Sequence, residues 1–155
     1  MDLSQYLEIF IDESKEHLQT LNDQVLILES EPENVDTVNE IFRAAHSLKG
    51  MAGTMGYKRM QRLTHDMENV FSEIRNGKMN VNADLVDIVF KCLDALEGYL
   101  TNIIETSDEG TEDNDELIAQ LNAVLQNGLA GSGEAQAAAT KEETKEEKKP
   151  EETDS

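Results

Sequence analysis

Apolar side chains recur at steps of three and four through the first 125 residues, and this periodicity restricts the chain to long amphipathic helices. Leu7, Ile11, Ser14, Leu18, Leu21, Val25 and Leu28 form one seam. Asp2 or Ser4 can cap its start, and Pro32 ends it, because proline offers no amide hydrogen. Val38, Phe42, Ala45, Leu48, Ala52 and Met55 form a second stripe, and Met60, Leu63, Met67, Val70 and Ile74 a third. Asn76-Gly77 closes that third helix with a residue suited to positive φ. Leu85, Val89, Cys92, Leu96, Tyr99 and Ile103 make a fourth, capped by Asn82. A shorter fifth stripe, Leu117, Leu121 and Val124, ends before Gly128. No alternating strand pattern competes.

Four of these helices run to about 20 residues or more, so each spans roughly 30 Å. Their connections are short, so neighbours in sequence pack antiparallel. The expected fold is all-α: an up-down antiparallel four-helix bundle with a fifth C-terminal helix docked on it, filling residues 1–128. Residues 129–155 form a different segment. From Gly131 onward it is almost entirely small or charged, cannot offset its ordering entropy, and is expected to be a disordered charged linker. The chain therefore reads as the first domain of a longer protein, cut within the connection.

There is no run of 18 apolar residues, hence no expected transmembrane helix. Met1-Asp2-Leu3-Ser4 lacks the basic and apolar regions of a signal peptide. Cys92 is the one cysteine, so no internal disulfide can form. Together these features predict a cytoplasmic location. The net charge of -20 argues against nucleic acid and membrane surfaces as partners. Cys92 and most of the methionines read as core fillers, and a monomer is expected.

Against this acidity, the 25 residues from Ile41 to His65 hold no Asp or Glu, but they do hold Arg43, Lys49, Lys58, Arg59 and Arg62. Within the stretch stands His46, in Arg43-Ala44-Ala45-His46-Ser47-Leu48-Lys49-Gly50. A cleared, basic surrounding for one imidazole predicts that it handles an anion, and imidazole is a competent phosphoryl acceptor. His46 adjoins Ala45 on the second stripe, so it lies at the edge of the buried face. Lys49, Gly50 and Gly53 follow on the same side of the helix, and Lys49 can reach toward a group on His46. Interior helical glycines cost about 1 kcal/mol each. Gly50 and Gly53 therefore mark a close approach, either by a binding partner or by a neighbouring helix of the bundle.

The third helix adds His65-Asp66-Met67-Glu68. If the turn between the second and third helices lies near Met55 to Tyr57, then His46 and Glu68 stand at similar heights. A carboxylate taking the Nδ1 proton of His46 would fix its tautomer and leave Nε2 as nucleophile. Asp66 is expected to face solvent. His65 reads either as a surface residue or as a polar neighbour of the site, and His17 as an exposed residue without a role. A helical di-metal site needs two Glu-x-x-His pairs and two more Glu, a pattern this chain lacks, so no metal is expected.

His46-Ser47-Leu48-Lys49-Gly50, with Ala52, Gly56 and the distant His65-x-x-Glu68, resembles the signature of histidine phosphotransfer (HPt) domains. Within that group the segment is similar to the phosphotransfer domains of the CheA-type chemotaxis histidine kinases of bacteria, over Met1 to about Gly128. The resemblance implies that a separate CheA catalytic domain passes the γ-phosphoryl of ATP to His46. An aspartate on a chemotaxis response regulator or on the receptor methylesterase then receives it. It also implies that Glu68 orients His46, that Lys49 assists the phosphoryl group and that His65 completes the polar site. The chain shows no Walker-type loop and no constellation for Mg²⁺ and ATP. It is thus expected to bind no cofactor itself and to serve as the relay part of a histidine kinase, with ATP and Mg²⁺ used by the partner domain. The competing expectation is a non-catalytic helical adaptor whose glycine face binds a partner.

Overall fold

In a computed structural model of the chain, residues 3–140 are described, with side chains described as far as Gly128. They form five helices: α1 (Leu3–Ser30), α2 (Val35–Met55), α3 (Lys58–Arg75), α4 (Ala83–Thr106) and α5 (Asp115–Thr140). α1 packs on α2 and α4, and α3 packs on α2 and α4, which closes the expected antiparallel four-helix bundle. α5 docks against α3 and α4.

The helix ends follow local chemistry. Asn34 accepts from the Thr37 amide and Asn82 from the Leu85 amide, each satisfying a donor at a helix start. Gly56 ends α2 at φ 82° and Gly77 follows α3 at φ 79°, both in the left-handed region that glycine enters without strain. The α2–α3 turn therefore falls at Gly56-Tyr57, where the spacing of the stripes puts it. Ser4 lies inside α1, so it is not the cap expected of it, and Asp2 lies outside the described residues.

The core holds the expected stripes and more. Phe10, Ile41, Ala44, Phe71 and Ile118 are also buried, because a bundle helix hides a face wider than a single seam. Leu7, Ile11, Phe42, Met55, Ile74, Leu117 and Val124 pack at its edge. Cys92 is fully buried, and burial followed by the nearby Asp66 charge pushes its thiol up to about 12.

The fifth helix differs from expectation. It continues through Thr140 instead of ending before Gly128. Ala130, Ala135 and Ala137 to Ala139 favour helix strongly enough to carry it past Gly128, Gly131 and Gly133. The rest of the expected linker, 141–155, lies outside the described residues.

Candidate functional site

His46 and Glu68 meet across the α2–α3 interface, with Nδ1 of His46 2.5 Å from Oε2 of Glu68. A carboxylate only accepts, so Nδ1 carries the hydrogen and Nε2 keeps its lone pair. The His46 side chain is 62% exposed while that of Glu68 is 11% exposed, so the imidazole faces water and its carboxylate partner does not. Lys49 binds the other oxygen of the same carboxylate, Nζ to Oε1 at 2.5 Å. Burial pushes the Glu68 pKa up, but the bonds from Lys49 and His46 outweigh it and hold the carboxyl below its usual range. Glu68 is therefore ionised at neutral pH, with a cation on one oxygen and an imidazole on the other.

The α2–α3 pair builds this arrangement simply. Met67 and Ala45 are fully buried core residues, and Glu68 and His46 are their immediate neighbours in sequence. Each therefore sits where the buried face turns to solvent. Phe42, one helical turn before His46, holds its ring nearly parallel to the imidazole, at 10° and 6.2 Å between centroids. On Phe42 in turn lies the guanidinium of Arg75, 3.9 Å from the ring centre.

Other expected residues fall differently. Gly50 faces open space, so a Cβ there would meet nothing. At Gly53 a Cβ would meet the Gln61 amide at 2.5 Å, so this glycine admits a side chain of α3 and its close approach is internal to the bundle. His65 makes no described bond to His46 or Glu68. Its Nδ1 lies 3.6 Å from Asp66, and its side chain lines a shallow hollow with Lys49, Lys58, Gln61 and Arg62. Asp66 does not face solvent. Its side chain is only 15% exposed, and burial raises its pKa, partly countered by His65 and Arg62. His17 is half-buried and lines an open groove between α1 and α2 that also takes in His46, Gly50, Tyr6, Ile9 and Met51.

Four of the five cations of the basic stretch are paired with carboxylates. Arg59 pairs with Asp113 and Glu109, Arg62 with Asp115, Arg43 with Glu40 and Lys49 with Glu68. Carboxylates missing from residues 41–65 come back through folding, Glu109 and Asp113 from the α4–α5 connection and Asp115 from the start of α5. Glu109, which the sequence did not single out, is 5% exposed and accepts from the amides of Arg59 and Met60 at the start of α3. Only a helix start without a capping side chain of its own, at Tyr57, could have hinted at it. No group of three or more His, Cys, Asp or Glu side chains able to hold a metal occurs among the described residues, and no helix there is long and apolar enough to cross a membrane.

Residues 5–127 match the model of the Hpt domain family. The chain is 53% identical to the chemotaxis protein CheA of Bacillus subtilis over 121 residues, which cover 78% of this chain and 18% of that protein. It thus spans about a fifth of the length of this curated relative. Its fold is similar to the CheA phosphotransferase domain from Thermotoga maritima, with 43% identity and a TM-score of 0.64 over 67% of this chain and 99% of that one. The phosphorylated P1 domain of CheA3 from R. sphaeroides, solved in complex with CheY6, shares the fold at 19% identity, with a TM-score of 0.75 over 81% of this chain and 99% of that one. An outward-facing imidazole held by a buried glutamate on such a bundle agrees with these likenesses: the chain belongs to the Hpt domain family, among the phosphotransfer domains of CheA.

Proposed function

We propose that His46 accepts a phosphoryl group from ATP held by a separate CheA catalytic domain and passes it to an aspartate of a chemotaxis response regulator. The observation that carries this reading is the His46–Glu68 bond, with Nε2 left exposed. In the first step the Nε2 lone pair attacks the γ-phosphorus, the bond to the β-phosphate oxygen breaks, and ADP leaves. The product is an N-phosphorylated imidazolium that keeps its Nδ1 hydrogen. Glu68 faces that new positive charge directly and needs no rearrangement to do so. In the second step an aspartate oxygen attacks the phosphorus and Nε2 leaves as neutral imidazole. Nothing in either step obliges Glu68 to take the proton.

Lys49 contributes a positive charge beside the phosphoryl oxygens, which it can approach by exchanging its bond to Glu68. His65 stands next to Lys49 and acts through it, not on His46. The donor domain supplies ATP, Mg²⁺ and the remaining charge neutralisation, since positioning and electrostatics dominate phosphoryl transfer. Gly50 leaves the surface beside His46 open to a docking partner. The R. sphaeroides domain, in complex with CheY6 in its own structure, gives the acceptor class a precedent, and the receptor methylesterase is proposed as a second acceptor of the same kind. The proposed dependence on ATP supports a cytoplasmic location for this work.

The test is phosphoryl uptake from labelled ATP with a CheA catalytic domain added separately. Wild type should take label in a form lost in acid and kept in alkali, as phosphohistidine is. His46→Gln should fold and take none. Labelling of that variant would overturn the assignment. Absence of label from wild type, with an active catalytic domain, would favour a binding bundle without phosphoryl chemistry.

A further inference from the structure

One hydrogen bond does not fix a solvent-exposed imidazole. The bond to Glu68 anchors Nδ1, but the ring can still tilt about it, since torsions onto planar groups are broad. With 62% of its side chain exposed, His46 has few walls to stop that tilt. Phe42 supplies one. It lies four residues earlier on α2, where a helix places neighbours on one face, and its ring is within 10° of parallel to the imidazole. The centroid separation of 6.2 Å falls in the range of offset aromatic pairs.

Phe42 is only half-buried, so it needs fixing in turn. Arg75 lies over it at 3.9 Å, well within cation–π range. Arg75 makes no ion pair among the described residues, although the chain is strongly acidic. It sits on α3 seven residues beyond Glu68, about two turns along the same face. Because α2 and α3 run antiparallel, α3 grips the imidazole twice, once by Glu68 on Nδ1 and once by Arg75 through Phe42.

We propose that Phe42, pinned by Arg75, is a positioning residue for His46, its ring setting the imidazole plane that keeps Nδ1 on Glu68 and Nε2 outward. This rests on the phosphoryl transfer proposed above, in which Nε2 must line up with the phosphorus.

The experiment compares Phe42→Leu, Phe42→Tyr and Arg75→Gln with wild type in two measurements. One is kcat and KM for phosphoryl uptake with the separate catalytic domain. The other is the imidazole ¹⁵N spectrum of His46 in the unphosphorylated chain. Phe42→Leu should lower kcat about 10-fold at unchanged KM, as small misplacements of a reacting group do. Its spectrum should move from one tautomer toward a mixture. Phe42→Tyr keeps the ring and should match wild type, and Arg75→Gln should lower kcat about threefold with a smaller spectral change in the same direction. Wild-type kcat and an unchanged spectrum in Phe42→Leu overturn the proposal, as does equal impairment in Phe42→Tyr. If Phe42→Leu fails to fold, an unchanged spectrum in Arg75→Gln, altered only at the surface, overturns it. Absence of label on wild type would instead sink the phosphoryl transfer, while the spectra still report on positioning.

Discussion

Two glutamates reach α3, and both are nearly hidden from water. Glu109 arrives from the α4–α5 connection and gives one oxygen to the Arg59 amide and the other to the Met60 amide. Glu68 stands on α3 itself and gives its oxygens to His46 and Lys49 of α2. Their exposures are close, 5% and 8%. What differs is the kind of hydrogen-bonded partner, since the Arg59 guanidinium stands farther from Glu109, at 3.8 Å. The amides held by Glu109 are fixed by the helix and have nothing further to offer. Each partner of Glu68 is a side chain, and one presents a free nitrogen to solvent. A buried carboxylate marks chemistry when its partner keeps a reactive atom outside, and architecture when its partners are backbone.

Glu109 also repairs a charge problem. The first turn of α3 carries Lys58 and Arg59 and no acidic residue, the wrong sign for a helix N-terminus. Glu109, Asp113 and Asp115 bring the opposite sign from outside the helix. Tyr99 fastens the same connection, its hydroxyl donating to the Glu112 carbonyl and accepting from Asn114. α5 is thus tied to the bundle by the residues that complete α3.

This contrast separates into measurements. Glu68→Gln keeps the shape of the side chain but loses the charge facing the imidazolium. Phosphoryl uptake should slow about 100-fold, within the span of general acid–base and orienting effects, with the melting temperature little changed. Equal rates would remove the orienting role. Glu109→Ala should do the reverse, costing about 2 kcal/mol of stability, as the loss of a strong helix cap does, at an unchanged uptake rate. Denaturant unfolding together with the labelling assay checks it, and a rate loss matching that of Glu68→Gln would erase the distinction. Lys49→Ala should slow transfer about 10-fold without moving the label from His46, a cost near 1.4 kcal/mol in the barrier. Unchanged rates of uptake and release would remove Lys49 from the mechanism.

The smallest effect concerns acid. The Glu68 pKa is lower in the folded chain than its ordinary value of 4.5, so the stability it adds is complete above that value and fades as pH falls through the folded pKa. Chemical unfolding followed from neutral pH downward should show a loss beginning near pH 4.5 that Glu68→Gln lacks. Parallel curves for the two proteins would mean that the carboxylate gains nothing from its partners.

The contacts along α2 and between α2 and its neighbour were largely legible in the residues. His46 and Lys49 follow from helical spacing, and Glu68 from the position of the turn, because an antiparallel pair with a known turn has a known register. Gly77 is readable because glycine enters the left-handed region without strain. Distant segments decide what was not legible. The basic stretch looked open because the carboxylates that pair with Arg59 and Arg62 lie some 50 residues away. Asp66 looked exposed because a wheel drawn for α3 does not show the helices packed on it, and His17 is half-buried because the α1–α2 groove exists only after packing. The end of α5 was missed by weighing the glycines above the alanines around them.

By itself, then, the sequence determined the helices, their antiparallel order and the matching heights of His46 and Glu68, since all of these follow from periodicities of 3.6 residues and from turn chemistry. Tertiary structure alone decided which cations remain beside His46, what caps α3 and what lies over Phe42. Those depend on charges and rings brought together from separate helices, and their energies exist only once water has been excluded between them.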